Sequence, residues 1–310
     1  MNKPTPKIYR TTNWSSYNQA LIKRGNISIW FDPKTQWYAQ PQGKHGRNQT
    51  YSDTAIQCCL MIKSLFRLSL RMVTGFAQSL IKLCGLNWTA PDYSTLCRRQ
   101  KHIDIAISYQ KSRDGLHLLV DSTGLKFLGE GEWKRKKHQP EYRRQWRKLH
   151  IGIDAETLQI RAVQLTTNNV SDSQVLGDLL DQIPPNERID SVYTDGAYDT
   201  KCCRQVISDR QAHAVIPPRK NAKPWKDSKI SSIERNELLQ TVKHLGRTLW
   251  KKWSGYHRRS LVETKMHCIK LLGDKLMARS FPSQVNEIHA RVAVLNRFTE
   301  LGRPLTQVTP

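Results

Sequence analysis

Tyr256, Arg259, Glu263 and Lys270 follow one another at spacings of three, four and seven residues. In a helix, at about 100° per residue, these four side chains fall within an arc of about 60° on one side. Leu261, Val262, Ile269 and Leu272 fall on the opposite side, giving the same helix a stripe to bury and a polar ridge to present. A carboxylate flanked by two cations and a phenol suits a metal ion beside a phosphodiester. An ordinary amphipathic helix with a solvated charged face has the same spacing, because i,i+4 charge pairs are common. The choice depends on what the rest of the chain offers Glu263.

Two more acids follow short strand-like runs: Asp121 after Leu118-Leu119-Val120, and Asp195 after Ser191-Val192-Tyr193-Thr194. Both are expected at strand ends, where sites gather in open α/β sheets. Taken singly, each is as readily a turn former or a helix cap. With Glu263 on a packing helix they have the makings of a two-metal site, which holds two hard cations about 4 Å apart and leaves room for substrate oxygens. Oxygen-only ligands and the lack of a soft cluster favour Mg²⁺, with Mn²⁺ as a substitute.

The elements that must position these acids follow from periodicity. Residues 1–50 read as an N-terminal arm, rich in Trp, Tyr, Lys, Asn and Pro, with one or two short elements. Residues 51–111 read as a helical region: two helices between Thr54 and Leu83 that break near Arg67-Leu68-Ser69, then a third started by Pro91 or Asp92. That third helix carries Arg98 and Arg99, and three short helices ending in a basic one suit a helix-turn-helix DNA reader as well as a plain helical subdomain. From Gly115 strands and helices alternate. Strands are expected at 117–120, 149–154, 158–166, 189–194 and 213–216, the second and third forming a hairpin. Helices are expected at 173–183, 197–209 and 283–301 besides the one bearing Glu263, with a basic, irregular segment at 217–250. The fold class is therefore α/β, a mixed five-stranded sheet flanked by helices over about 112–303, preceded by the α-helical region and followed by a tail at 304–310.

Fifty Lys and Arg against 26 Asp and Glu give a formal charge of +24, which points to a polyanion. Interleaved Trp and Tyr favour a nucleic acid over a membrane surface. The densest stretch, Lys134-Arg135-Lys136-Lys137 with Arg143, Arg144, Arg147 and Lys148, is expected as a loop that tracks DNA or stays solvated. No apolar run is long enough to span a membrane, and the polar start lacks a signal peptide's apolar core, so an intracellular, soluble protein is expected. Seven cysteines without zinc spacing read as reduced, mostly buried thiols, Cys202-Cys203 among the core.

Several ordered motifs now meet. Val120-Asp121-Ser122-Thr123-Gly124-Leu125-Lys126, Tyr193-Thr194-Asp195-Gly196-Ala197-Tyr198-Asp199 and the Tyr256, Arg259, Glu263, Lys270 series together resemble bacterial insertion-sequence transposases with a DDE active site, and within them the insertion sequence five group. Trp146-Arg147-Lys148-Leu149-His150 and Ala293-Val294-Leu295-Asn296-Arg297 extend the resemblance over essentially the whole chain. It implies an RNase H-like catalytic domain in which Asp121, Asp195 and Glu263 bind two divalent ions, nick the element's ends and drive the freed 3′ hydroxyl into target DNA. It also implies that Tyr256, Arg259 and Lys270 contact DNA phosphates near the cut. Related transposases carry an insertion before the glutamate helix, sometimes with a tryptophan stacked on a flipped base, which makes Trp225 a candidate beside its role as an ordinary packed ring. The partners implied are double-stranded DNA, as element ends and target, and further copies of the chain in a dimer or larger synaptic assembly, in a bacterial cytoplasm. A decayed end-binding protein and a structure-selective nuclease of the same fold are the alternatives. His150 and Asp199 read as structural.

Overall fold

Leu116, Leu118 and Val120 alternate with residues of the opposite face, and this period of two sets the orientation of the strand that carries Asp121. The computed structural model describes residues 9–26, 30, 34–41, 48–112, 114–127 and 146–308. Lys134 and Lys136 of the cationic run lie outside the described residues. Two units form, residues 109–292 and residues 1–108 with 293–310, so the last helix, expected wholly within 112–303, is divided between them.

In residues 1–108 and 293–310, β1 (Tyr9–Thr11) pairs antiparallel with β8 (Thr306–Val308), and α1 spans Trp14–Arg24. Helices α2 (Asp53–Phe66), α3 (Leu70–Leu83) and α4 (Tyr93–Arg99) pack on one another. Arg67, in the left-handed region at φ 52°, makes the break between α2 and α3. Ser52, Ser69 and Asp92 cap the three N-termini, each side chain accepting a backbone N–H of the first turn.

Residues 109–292 are built on strands β2 (Leu116–Phe127), β3 (Arg147–Asp154), β4 (Ile160–Thr167), β5 (Ile189–Tyr193) and β6 (His213–Val215), in the order β4-β3-β2-β5-β6. β3 runs antiparallel to β2 and β4, whereas β5 and β6 run parallel to β2 and to each other. A sixth short strand, β7 (Lys275–Leu276), pairs with the far end of β2. Against one face pack α5 (Asp172–Asp181) and α6 (Lys201–Asp209), closing a core of Leu116, Leu118, Val120, Leu176, Leu179, Val192, Cys203 and Ile207. The other face of β2 meets α9 (Ser260–Leu271). Between β6 and α9 lie α7 (Ile230–Leu245) and α8 (Arg247–Trp253), and α10 (Phe281–Leu301) follows β7. This is the RNase H-like α/β architecture the sequence implied, with one strand added.

Four expectations need correction. β2 does not stop at Asp121 but continues to Phe127, because its ladder with β3 persists from Leu118↔Asp154 to Leu125↔Arg147 and overrides the weak strand propensity of Asp-Ser-Thr-Gly. Residues 217–250 are not irregular throughout, since α7 and α8 occupy much of them. α6 begins at Lys201, after a separate 3₁₀ turn over Gly196–Tyr198, because Thr200 caps it by accepting Cys203 N–H at 3.2 Å. The cysteines are free but only Cys59 and Cys203 are buried, whereas Cys84, Cys97 and Cys202 are exposed. Among the described residues no helix is long and apolar enough to cross a membrane.

Candidate active site

Pairing Leu119↔Tyr193 between parallel β2 and β5 places Asp121 and Asp195 two residues further along neighbouring strands, which run about 4.8 Å apart. Asp121 stays within its strand, and its side chain is 16% exposed. Asp195 sits just past the end of β5, where its Oδ1 accepts Ala197 N–H at 2.9 Å and caps the 3₁₀ turn. The two carboxylates feel each other: burial pushes the Asp121 carboxyl up and the charge of Asp195 adds to this, while Ser122 N–H and Arg259 oppose it.

Glu263 arrives from the other side on α9. Tyr256–Arg259 form a 3₁₀ turn leading into the helix rather than its first turn, and the turn starts from Gly255 in the left-handed region at φ 67°. The buried stripe of α9 is Val262, Met266 and Ile269, while Leu261, expected in it, is exposed. Arg259 stands between the acids. Its Nη1 donates to Asp121 Oδ2 at 2.5 Å and its Nη2 to Glu263 Oε1 at 2.8 Å. Burial works against the guanidinium charge, yet Asp121, Tyr256 and Glu263 together raise its pKa. Glu263 itself is 58% exposed. Lys270 donates from Nζ to Thr123 Oγ1 at 2.7 Å, two residues along β2 from Asp121 and on the same face. Tyr256 is half-buried, its ring 5.8 Å from Trp250, and burial raises its phenol against the pull of Arg259.

The fold therefore brings Asp121, Asp195, Tyr256, Arg259, Glu263 and Lys270 to one end of the sheet. The other candidates have partners of their own. Arg99 pairs with Asp53 and donates to the Tyr51 carbonyl at 2.9 Å, so it braces its own helical unit; Arg98 is exposed beside it. Arg147 is the first residue of β3 rather than part of a loop, and its guanidinium lies 4.5 Å from the Phe127 ring and 5.1 Å from that of Phe281, with Nε donating to Gln284 at 2.9 Å. The Trp225 ring lies against the Arg235 guanidinium at 4.5 Å, and its backbone exchanges two 2.8 Å hydrogen bonds with Asn236. Asp199 receives Arg204 at 2.9 Å and Arg235 at 3.2 Å, all three side chains being buried.

Three neighbours escaped the sequence. Thr123 follows from the strand period alone. Tyr198, in the turn that Asp195 caps, is buried, and its phenol is pushed up first by that burial and then by Asp172, Asp121 and Asp195. Asp172, at the start of α5, is pushed up by burial, but Lys148 at 2.8 Å and a Ser122 hydrogen bond bring its carboxyl below the usual range. Nothing in the spacing of Lys148, Asp172 and Tyr198 announces that they meet.

Asp121, Asp195 and Glu263 offer oxygen donors alone, the set that suits a hard divalent cation. Among the described residues no three His, Cys, Asp or Glu side chains are gathered closely enough to hold an ion. The donor chemistry and charge fit such an ion, and what separates Glu263 from Asp121 is the guanidinium of Arg259.

Residues 112–297 match a family model described as a transposase DDE domain, and residues 22–130 match a second model with the same description. Among solved structures, a chain of the cryoEM simian T-cell lymphotropic virus intasome in complex with PP2A regulatory subunit B56 gamma is similar at 15% identity, over 74% of this chain and 74% of that one, with a TM-score of 0.23.

Proposed function

This chain belongs to the transposases with a DDE domain, and on that premise we propose that it binds the terminal inverted repeats of its own insertion sequence, cleaves DNA at the element's ends and joins the 3′ hydroxyl ends to target DNA. Asp121, Asp195 and Glu263 are the proposed ligands of two Mg²⁺ ions, replaceable by Mn²⁺. When bound, such ions polarise the attacking and leaving oxygens and neutralise charge on the phosphodiester. The observation that carries the reading is that Arg259 bridges Asp121 of β2 and Glu263 of α9 while Asp195, past the end of β5, acts on the Asp121 carboxyl through its charge.

The protein's own groups divide the remaining work. Arg259 presents a planar fork that fits two phosphate oxygens, and Lys270, held over β2 by Thr123, adds a point charge further along α9. Tyr256 offers its hydroxyl beside Arg259, so a strand laid across this face meets three donors next to the acids. Phosphoryl transfer asks mainly for such positioning and charge compensation. Arg98, on the exposed side of α4, is the proposed contact of the helical unit with duplex DNA. Two ends must be held together, so a dimer or larger assembly on DNA is proposed, working in the bacterial cytoplasm on the nucleoid.

The test incubates purified protein with labelled element ends, target DNA and Mg²⁺, comparing wild type with Asp121→Ala, Asp195→Ala and Glu263→Ala. Retained end binding with lost cleavage and joining is expected of all three. Variants that cut and join like wild type would overturn the assignment of the acids, and a wild type that cuts without ever joining would be a nuclease instead.

A further inference from the structure

We propose that Arg259 couples the arrival of a DNA strand to the loading of divalent ions, by clamping Asp121 and Glu263 until a phosphate draws its guanidinium away. The inference rests on the reading that these acids hold the ions. It starts from two bonds: one arm of the guanidinium reaches Asp121 at 2.5 Å and the other reaches Glu263 at 2.8 Å. The guanidinium takes up a lone pair on Asp121 Oδ2 and on Glu263 Oε1, and its positive charge repels a cation approaching either acid. A phosphodiester offers the fork two non-bridging oxygen atoms, so moving Arg259 exchanges its two carboxylate bonds for two bonds to one phosphate. The exchange frees the carboxylates.

The setting of Arg259 suits such an exchange. It is the last residue of the 3₁₀ turn that opens at Gly255, and its side chain is 19% exposed, so solvent-side oxygens can reach it without unfolding α9. Lys270 is engaged with the Thr123 hydroxyl and so does not duplicate the clamp on Asp121. Tyr256 stands beside Arg259, its ring centroid 6.0 Å from the guanidinium carbon and 5.8 Å from that of Trp250. Binding free energies are reciprocal, so if DNA removes the clamp and eases ion binding, ions must tighten DNA binding by the same factor. The protein alone would then hold ions weakly and acquire them together with its substrate.

The experiment titrates the full chain with Mn²⁺, following free ion by electron paramagnetic resonance, with and without a duplex carrying the element end. In wild type, DNA should raise Mn²⁺ affinity by about fivefold or more, the usual floor of such couplings. Arg259→Gln should bind Mn²⁺ without DNA more tightly than wild type by a similar factor, and DNA should then add little. Arg259→Lys, a single point charge unable to span both acids, should fall between the two. Melting curves check that the variants fold; if Arg259→Gln does not, Arg259→Lys against wild type carries the same comparison. Affinity in the Arg259 variants equal to or below that of wild type without DNA would overturn the coupling. Asp121→Asn separates the two claims: if it binds Mn²⁺ as wild type does, the acid assignment has failed, whereas its loss of binding leaves the clamp alone on trial.

Discussion

Asp199→Ala should be among the most damaging single changes outside the acids themselves. One carboxylate serves two guanidinium groups there: Oδ1 accepts from Arg204 Nε at 2.9 Å and Oδ2 from Arg235 Nη2 at 3.2 Å, with Arg219 N–H at 3.4 Å. The side chains are 1%, 3% and 3% exposed, so neither arginine can turn to water when the acid is removed. Each keeps one backbone carbonyl, Ile216 for Arg204 and Lys223 for Arg235, but no counter-charge at Asp199. Breaking a buried pair from one side costs about 3–5 kcal/mol. In a unit of this size 1 kcal/mol moves the melting temperature by about 2–4 °C, which makes the expected drop about 6–20 °C. Differential scanning calorimetry of wild type, Asp199→Ala and Asp199→Asn measures it; Asn keeps one acceptor and should fall between. A melting temperature for Asp199→Ala within about 2 °C of wild type would refute the reasoning, because it would mean that both buried charges had found other partners.

Three further outcomes can be checked beside it. His150 is fully buried, and that burial, helped by Lys148 and opposed by Asp172, lowers its pKa from 6.5 to about 4. Between those values the unfolded chain takes up a proton that the fold refuses, so stability should be complete above pH 6.5 and fall by about 3 kcal/mol as the pH drops to 4, and His150→Gln should flatten melting curves across that window. Asp92 accepts the N–H groups of Ser94 and Thr95 at 2.7 and 3.1 Å, so Asp92→Ala should cost the helical unit about 1 kcal/mol in urea unfolding, unless α4 is held by packing alone. Trp225→Ala should lower stability by about 0.5–2 kcal/mol through the lost contact with Arg235 and leave end binding unchanged; weakened DNA binding with unchanged stability would return the ring to a role on the nucleic acid.

What the sequence made legible follows what its periods encode. The break at Arg67-Leu68-Ser69 and a helix start at Pro91 or Asp92 were legible, and Ser69 and Asp92 do cap α3 and α4. The hairpin of β3 and β4 follows from two alternating runs around Asp154-Ala155-Glu156-Thr157. α7 was hidden because it breaks the rule by which helices are found: it buries Ser231, Ser232 and Arg235 while Ile230 and Ile233 are 69% and 48% exposed. Its buried Arg235 is met by Asp199 and Trp225, and no hydrophobic pattern announces a buried arginine. The far half of β2 was hidden for the opposite reason, because its polar residues gain their strand from pairing with β3.

The acids show where pattern reading ends. Asp121 and Asp195 lie 74 positions apart in the chain, and their proximity follows from one topological fact, that β2 and β5 are parallel neighbours in register at Leu119 and Tyr193. β3, β4 and α5 lie between β2 and β5 in the chain, so the nearness of Asp121, within β2, to Asp195, just past β5, rests on that parallel pairing. Glu263 has no such constraint, since a helix can be laid on a sheet at many rotations. Its rotation is fixed by which residues of α9 are buried, Val262, Met266 and Ile269, and these leave Glu263 on the side that Arg259 and Asp121 share. The spacing from Arg259 to Glu263 indicated a common face but not that a third residue, from a strand, completes the pair. A charge pattern within one helix is therefore ambiguous until another element supplies its partner, and here Asp121 turns an i,i+4 pair into a bridge between sheet and helix.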